Sequence, residues 1–387
     1  MNLDDFLSAK PLFYDVIDYE RFPKAYRTIV ASLPNPKIIH LVGTNGKGST
    51  GRFLSIALHR AGKKVGHYTS PHILRFNERI WIDGADVRDE ALEIAHQKLL
   101  ALLSHEDAEA LSYFEYTTLL AMVVYEGCEY VVMEAGLGGE FDATAVFPKE
   151  LSIFTPIDFD HAAFLGSTID AIATTKLRSM QHEALLGKQK HFEVERIAKE
   201  IAYTKGCRLY TVEECQNPRL TEMALHLATK NGLSEYLRDN LLLAMAAYER
   251  LGYEVREEFF DQRALFGRLS PIAPNVTLDV GHNPLAAREI ARSYKGKKAV
   301  LIYNTYGDKD YREILGILKP IIESVEIIDV DEARIAPRDQ LENALNELQI
   351  EFRSFEAIDQ DKEYLVFGSF SVAETFLKRM NVTSTMV

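Results

Sequence analysis

The thirteen residues Ile38-Ile39-His40-Leu41-Val42-Gly43-Thr44-Asn45-Gly46-Lys47-Gly48-Ser49-Thr50 constrain this chain more than any other stretch. An apolar run fit for a buried strand meets a glycine-rich turn, then Lys47 and two hydroxyls. A helical period follows through Phe53, Leu54, Ile56, Ala57 and Leu58. Glycines let backbone N–H groups approach phosphate oxygens, the start of the helix adds a positive dipole end, and lysine supplies a mobile charge. A Ser or Thr hydroxyl then reaches Mg²⁺ or the β-phosphate. The common P-loop pattern wants glycine at position 41 and a hydroxyl directly after the lysine, whereas Leu41 and Gly48 stand here. A plain glycine turn between strand and helix would leave Lys47 unexplained. Gly43, Thr44, Asn45, Gly46, Lys47, Gly48, Ser49 and Thr50 therefore read as a nucleotide site.

A length of 387 residues predicts two domains with two cores. No apolar run approaches membrane-spanning length, and Met1-Asn2-Leu3-Asp4-Asp5 has neither a basic region nor a hydrophobic signal. Cys128, Cys207 and Cys215 lack metal-type spacing and read as reduced thiols of a cytoplasmic protein. The net charge of −13 disfavours nucleic acid and anionic membranes as partners. It leaves a phosphate site open, because a few local cations override the overall field.

Residues 1–36 read as partly amphipathic helix, halted by Pro34 and Pro36. Val65–Tyr68 is a second strand, and the polar, proline-containing stretch 69–80 a loop. A surface helix is expected over 86–104, and an apolar helix from Leu111 through Val124. Glu129 to Glu134 is then an apolar strand that ends in an acid and meets Gly136, Gly138 and Gly139. That order puts the Glu134 carboxylate at the C-terminal edge of a sheet, where ligands of doubly wound sheets bind, and makes it a Mg²⁺ ligand candidate. Leu151–Thr155 is another core strand. Residues 181–232 are the least informative: a charged helix from Val194 to Tyr203, a short strand at Arg208–Tyr210 and polar turns read as a peripheral addition, followed by a helix from Leu233 to Leu251. Ser270–Pro274 reads as an interdomain joint, and Thr383-Ser384-Thr385 as frayed. Apolar runs at Val276–Leu278, Ala299–Tyr303, Ser324–Val330 and Tyr364–Phe367 alternate with helices in a smaller α/β domain.

The loop Gly43–Ser49 resembles the variant P-loop of the Mur-ligase superfamily. Thr69-Ser70-Pro71-His72 with Arg75-Phe76-Asn77-Glu78-Arg79-Ile80 resembles its folate branch, folylpolyglutamate synthase and dihydrofolate synthase. The resemblance implies that Ser70, Glu134 and His161 hold two Mg²⁺ ions and that Arg79 helps hold the incoming glutamate. By themselves, Ser70 reads equally as a turn cap, Arg79 as a solvated charge and His161 as a structural histidine. Phe114 is a stacking candidate beside a pterin pocket or a core aromatic. Phe141, Asp142 and Ala143 match positions that contact dihydropteroate. Glu140 replaces the family's usual arginine, and Ala145 its asparagine. Lys176 matches a lysine commonly carbamylated by CO₂, which requires a neutral amine; otherwise it is an ordinary exposed helix lysine. Asn240 matches an adenine contact, or else satisfies a nearby carbonyl. Arg268 matches an arginine that grips phosphates, Asp279 and His282 match Asp-x-Ala-His-Asn-Pro, and Ser369 is a candidate for the glutamate carboxylate.

The implied fold is α/β: a P-loop, Mur-ligase-type domain with a mainly parallel sheet over 1–270, and a smaller Rossmann-like domain over 271–387. The implied reaction is ATP-dependent ligation of L-glutamate to dihydropteroate or a reduced folate through an acyl phosphate. Lys47, His161, Lys176, Asp279 and His282 are its catalytic candidates, in a monomer with small-molecule partners only. One rival is a peptidoglycan Mur ligase, which carries a substantial domain ahead of the loop, whereas residues 1–37 precede the first strand here. The other is a regulatory P-loop ATPase, which would turn over ATP without pterin or glutamate.

Overall fold

The computed structural model describes residues 1–11, 18–215 and 218–382. Eight strands build the first sheet: β1 (Lys37–Val42), β2 (Val65–Tyr68), β3 (Ile80–Ile82), β4 (Ala85–Asp86), β5 (Tyr130–Glu134), β6 (Lys149–Phe154), β7 (Glu183–Leu186) and β8 (Arg208–Thr211). Their spatial order is β4-β3-β2-β5-β1-β6-β7-β8. All neighbours from β2 to β8 run parallel, while β3 and β4 turn back at one edge.

β1 lies at the centre and is buried at every position after Lys37. An Ile-Ile-His-Leu-Val run has to be, when helices cover both faces of a parallel sheet. The chain leaves β1 towards β2 on one side and passes from β5 to β6 on the other. The carboxyl end of β1 thus lies at a topological switch point, the place where ligands of such sheets bind.

Residues 183–211 differ from the peripheral addition expected of them. They form β7 and β8, the last two parallel strands of the main sheet. The signal is short: only Ala184, Leu185 and Leu186 are fully buried in β7, between the charged Glu183 and Lys188. The N-terminal helix comes in pieces, Leu3–Ser8, Arg21–Ile29 and the 3₁₀ turn Val30–Ser32. The fraying expected at Thr383–Thr385 lies outside the described residues.

The chain divides into two compact units. The first holds Met1–Pro71, Phe76–Asn231 and Arg238–Gln262; the second holds His72–Arg75, Gly232–Leu237 and Arg263–Val387. The second unit thus begins before residue 270 and takes in two short segments from earlier in the chain. Ile73 accounts for one of them, because it packs in a core with Val276, Leu278 and Val280.

The second unit has a six-stranded sheet of β9 (Ser270–Ala273), β10 (Val276–Leu278), β11 (Ala299–Tyr303), β12 (Ile322–Ile327), β13 (Phe352–Ser354) and β14 (Tyr364–Phe367), in the order β13-β12-β11-β14-β10-β9. Five of them run parallel. β9 is antiparallel to β10, so the expected joint is an edge strand, the position where a sheet tolerates Pro271. No helix among the described residues is long and apolar enough to cross a membrane.

Ile39, fully buried between β5 and β6, tests the central strand. Ile39→Ala should destabilise the protein by about 2–5 kcal/mol, read as a lower urea midpoint with an unchanged slope.

Candidate functional site

The turn after β1 needs glycine at two positions. Gly46 has φ +91°, a left-handed conformation that costs glycine little. A Cβ on Gly43 would stand 2.0 Å from Thr155 Oγ1. The turn delivers the chain into the helix Lys47–Arg60, with Gly46 as its N-cap, so the first amides of that helix face the turn with their positive dipole end.

Two lysines converge on one carbonyl of this loop. Lys47 Nζ donates to Gly43 O at 3.1 Å and to Thr44 O at 3.3 Å, and lies 3.7 Å from Glu134 Oε1. Lys176 Nζ donates to the same Gly43 O at 3.0 Å from the helix Ile169–Leu177. Lys176 is buried rather than exposed, and burial, reinforced by the positive charge of Lys47, lowers its pKa to about 7.

Glu134 ends β5 beside β1, as the sequence predicts, and is buried. The Thr69 hydroxyl donates to its Oε2, and the Ser70 backbone N–H reaches the same oxygen at 3.3 Å. The structure therefore brings Lys47, Ser70, Glu134 and Lys176 around the phosphate loop. Thr69 enters the sequence reading only as the first residue of the Thr69-Ser70-Pro71-His72 motif, without a role of its own; its position directly before Ser70 was the available signal. His161 sits on the turn after β6 with φ +52°. Its backbone N–H donates to Asp160 Oδ1 at 2.8 Å, and its Nε2 lies 3.9 Å from Asp160 Oδ2.

Several buried polar atoms near the loop have no hydrogen-bond partner among the described residues: Ser49 Oγ, Thr50 Oγ1, Thr155 Oγ1 and Asn240 Nδ2. Unpaired polar atoms in a buried site are costly. Hydroxyls in the first turn of a helix, beside a lysine and a carboxylate, fit a triphosphate and its Mg²⁺. Among the described residues no three His, Cys, Asp or Glu side chains gather as a metal cage. Mg²⁺ suits such a place, since it keeps waters and takes one or two carboxylates together with substrate phosphates. Asn240 lies against the loop: a Cβ on Gly46 would come within 2.5 Å of its Oδ1.

The expected acid-binding residues lie in the same unit. The half-buried Phe114 rests against Gly136, whose added Cβ would meet Phe114 Cζ at 2.6 Å, and stands 5.9 Å from the Tyr68 ring. Phe141 is 58% exposed and packs on Tyr19 with ring centroids 4.5 Å apart. Asp142 is buried and caps the 3₁₀ turn Ala143–Val146, accepting from Leu137 N and Thr144 N, both at 2.9 Å. Burial raises its pKa. Ala143 is buried behind it. The Arg79 guanidinium lies 5.2 Å above the Tyr113 ring. Glu140, at the position where arginine is usual, faces Arg178 at 3.6 Å.

Asp279, Arg268, His282 and Ser369 belong to the second unit. Asp279 is buried at the end of β10 and accepts from Gly281 N at 2.8 Å, Leu269 N at 2.9 Å and Tyr236 Oη at 3.1 Å. Burial raises its pKa, with Arg268 opposing. The Arg268 side chain donates to Gly267 O at 3.1 Å and lies 5.5 Å over Phe370. His282 Nδ1 lies 3.1 Å from Val280 O. A carbonyl only accepts, so Nδ1 carries a proton in this contact. Ser369 Oγ accepts from Val372 N at 3.1 Å as the N-cap of the helix Phe370–Arg379.

No family model matches the chain. Its relatives include the dihydrofolate synthase/folylpolyglutamate synthase of Haemophilus influenzae, 29% identical over 89% of each chain. The Escherichia coli protein of the same name is 30% identical over 80% of this chain and 76% of its own. Among solved structures, Helicobacter pylori folylpolyglutamate synthetase matches with 39% identity and a TM-score of 0.80 over 98% of both chains. E. coli FolC in complex with DHPP and ADP matches with 26% identity and a TM-score of 0.82 over 98% of both chains. The loop, the strand-end carboxylate and these matches agree: the chain belongs to the dihydrofolate synthase/folylpolyglutamate synthase family of ATP-dependent ligases.

Proposed function

We propose that this protein joins L-glutamate to the carboxylate of dihydropteroate and of reduced folates at the cost of ATP. The observation that carries the reading is Lys47, set between the Gly43 carbonyl and Glu134 at the mouth of the phosphate loop. In the reaction a carboxylate oxygen of the acid attacks the γ-phosphorus, the bond to ADP breaks, and an acyl phosphate forms. The amine of glutamate then attacks the acyl carbon and phosphate leaves. Acid and triphosphate are both anionic, so the first step depends on cancelling their repulsion while holding attack in line.

Lys47, the amides of Gly46–Gly48 and the start of the helix Lys47–Arg60 supply fixed positive charge for the phosphates. Ser49 and Thr50 place hydroxyls in the same turn. Ser70, Glu134 and His161 would hold Mg²⁺, two ions in all, and the metal would neutralise phosphate oxygens as charge shifts. Phe114, Phe141, Asp142 and Ala143 offer aromatic and polar surface for the pterin, and Arg79 and Ser369 are assigned to glutamate. Asn240 and Arg268 are assigned to the nucleotide. His282 is the candidate to take the proton of the attacking amine, and Asp279 holds the backbone that positions it. Lys176, buried and with a pKa near 7, meets the requirement of a neutral amine for carbamylation. The free thiols Cys128, Cys207 and Cys215 support a reducing, cytoplasmic setting for a monomeric enzyme.

Phosphate release from ATP should require glutamate together with dihydropteroate or tetrahydrofolate; release that ignores both acceptors would convict a regulatory ATPase instead. Lys47→Ala should retain its melting temperature within a few degrees and lose turnover by about 10²–10³-fold. Labelled bicarbonate should give a carbamate signal in the wild type that is absent in Lys176→Ala. The signal should grow as pH rises through 7, because the lowered pKa leaves the reactive neutral amine increasingly populated above that value. Small carboxylates should restore part of the activity of Lys176→Ala.

A further inference from the structure

A second loop stands behind the phosphate loop, supplied by the stretch in which sequence patterns carried least. After β7 the chain runs through Gly187-Lys188-Gln189-Lys190-His191 into the helix Phe192–Lys205, with His191 as N-cap. Gln189 Oε1 accepts from Ile157 N at 3.0 Å, and its Nε2 donates to Gly187 O at 2.8 Å and to Thr155 O at 3.4 Å. The Asp158 carboxylate, 5% exposed, takes His191 Nε2 at 2.8 Å on Oδ1 and Lys190 Nζ at 3.1 Å on Oδ2. The backbone of Phe159 adds a bond to Oδ1 at 2.9 Å.

From Asp158 the connection continues into the phosphate loop. Thr44 Oγ1 donates to Asp158 O at 2.9 Å and accepts from Asp158 N at 3.0 Å. Thr44 N and Asn45 N both donate to Pro156 O, at 2.9 and 3.4 Å. Two residues beyond Asp158, Asp160 fixes the turn that carries His161. The Thr44 hydroxyl thereby ties the phosphate loop to the segment 155–161, and Gln189, Lys190 and His191 fix that segment from its far side. A charge-assisted bond to a buried carboxylate is stronger and better aligned than a neutral one, so this brace is stiff where the loop itself is glycine-rich.

We propose that Asp158 is a positioning residue, clamped by His191 and Lys190 while Gln189 holds the backbone beside it, which sets the phosphate loop and the His161 turn as one piece and thereby governs nucleotide affinity. This rests on the reading of Gly43–Thr50 as the nucleotide site. Partners one layer behind a ligand commonly change affinity or activity by about 10–100-fold when removed.

The test compares His191→Leu and Lys190→Met with His191→Gln, whose terminal amide nitrogen can replace Nε2 as a donor to Asp158. ATP and ADP affinity by calorimetry is measured beside KM for each substrate, kcat and melting temperature. His191→Leu and the double variant His191→Leu/Lys190→Met should raise the nucleotide Kd and the KM for ATP by about tenfold. The KM for glutamate should stay unchanged, and His191→Gln should lie within about twofold of wild type. Nucleotide affinity unaltered in both His191→Leu and the double variant overturns the proposal, as does a loss spread evenly over all substrates in step with a fallen melting temperature. Wild-type protein that binds no ADP would instead overturn the nucleotide reading itself.

Discussion

Everything at the phosphate loop depends on the carbonyl oxygen of Gly43, which receives the amines of both Lys47 and Lys176. Two ammonium groups held at one acceptor repel each other; Lys47 has Glu134 at 3.7 Å, while Asp160 and Asp142 act on Lys176 more weakly than its burial and the charge of Lys47. Burial and that neighbouring charge bring Lys176 down to about 7. Environment thus singles out Lys176 as the lysine suited to act as an amine near neutral pH. Gly43 allows this because it has no side chain to collide with Thr155.

The parts legible in the sequence are those whose cause is local. A continuous apolar run, three glycines and a lysine specify strand, turn and helix within thirteen residues, and Glu134 could be placed at a strand end because the strand announces itself. β8 was legible as a short strand at Arg208–Tyr210, but β7 was not, because its four residues offer too short an apolar run to stand out between charged neighbours. β9 was hidden by Pro271, which reads as a breaker until its place at a sheet edge is known. The burial of Lys176 was illegible for another reason: what surrounds a helix lysine is set by residues distant in the sequence, here Gly43, 133 positions away.

Glu134 and Asp279 show how one pattern serves two ends. Both are acids at the end of a parallel strand with a glycine two residues on. Glu134 is met by Thr69, Ser70 and Lys47, groups that line the phosphate loop. Asp279 is met by the amides of Leu269 and Gly281 and by the Tyr236 hydroxyl, which use it to hold backbone. Much of the difference lies in partners drawn from elsewhere in the chain, Thr69, Ser70 and Lys47 against Leu269 and Tyr236, which no strand-end motif contains.

The threading of the chain has a consequence for taking the protein apart. The second unit owns His72–Arg75 and Gly232–Leu237 as well as everything from Arg263. A fragment beginning at residue 263 would lack Ile73, leaving a gap among Val276, Leu278 and Val280, and would lack Tyr236, the hydroxyl that completes the shell of Asp279. Neither half of this enzyme is a module that could be lifted out by one cut, so a truncation at any single position leaves one unit without a segment of its own core.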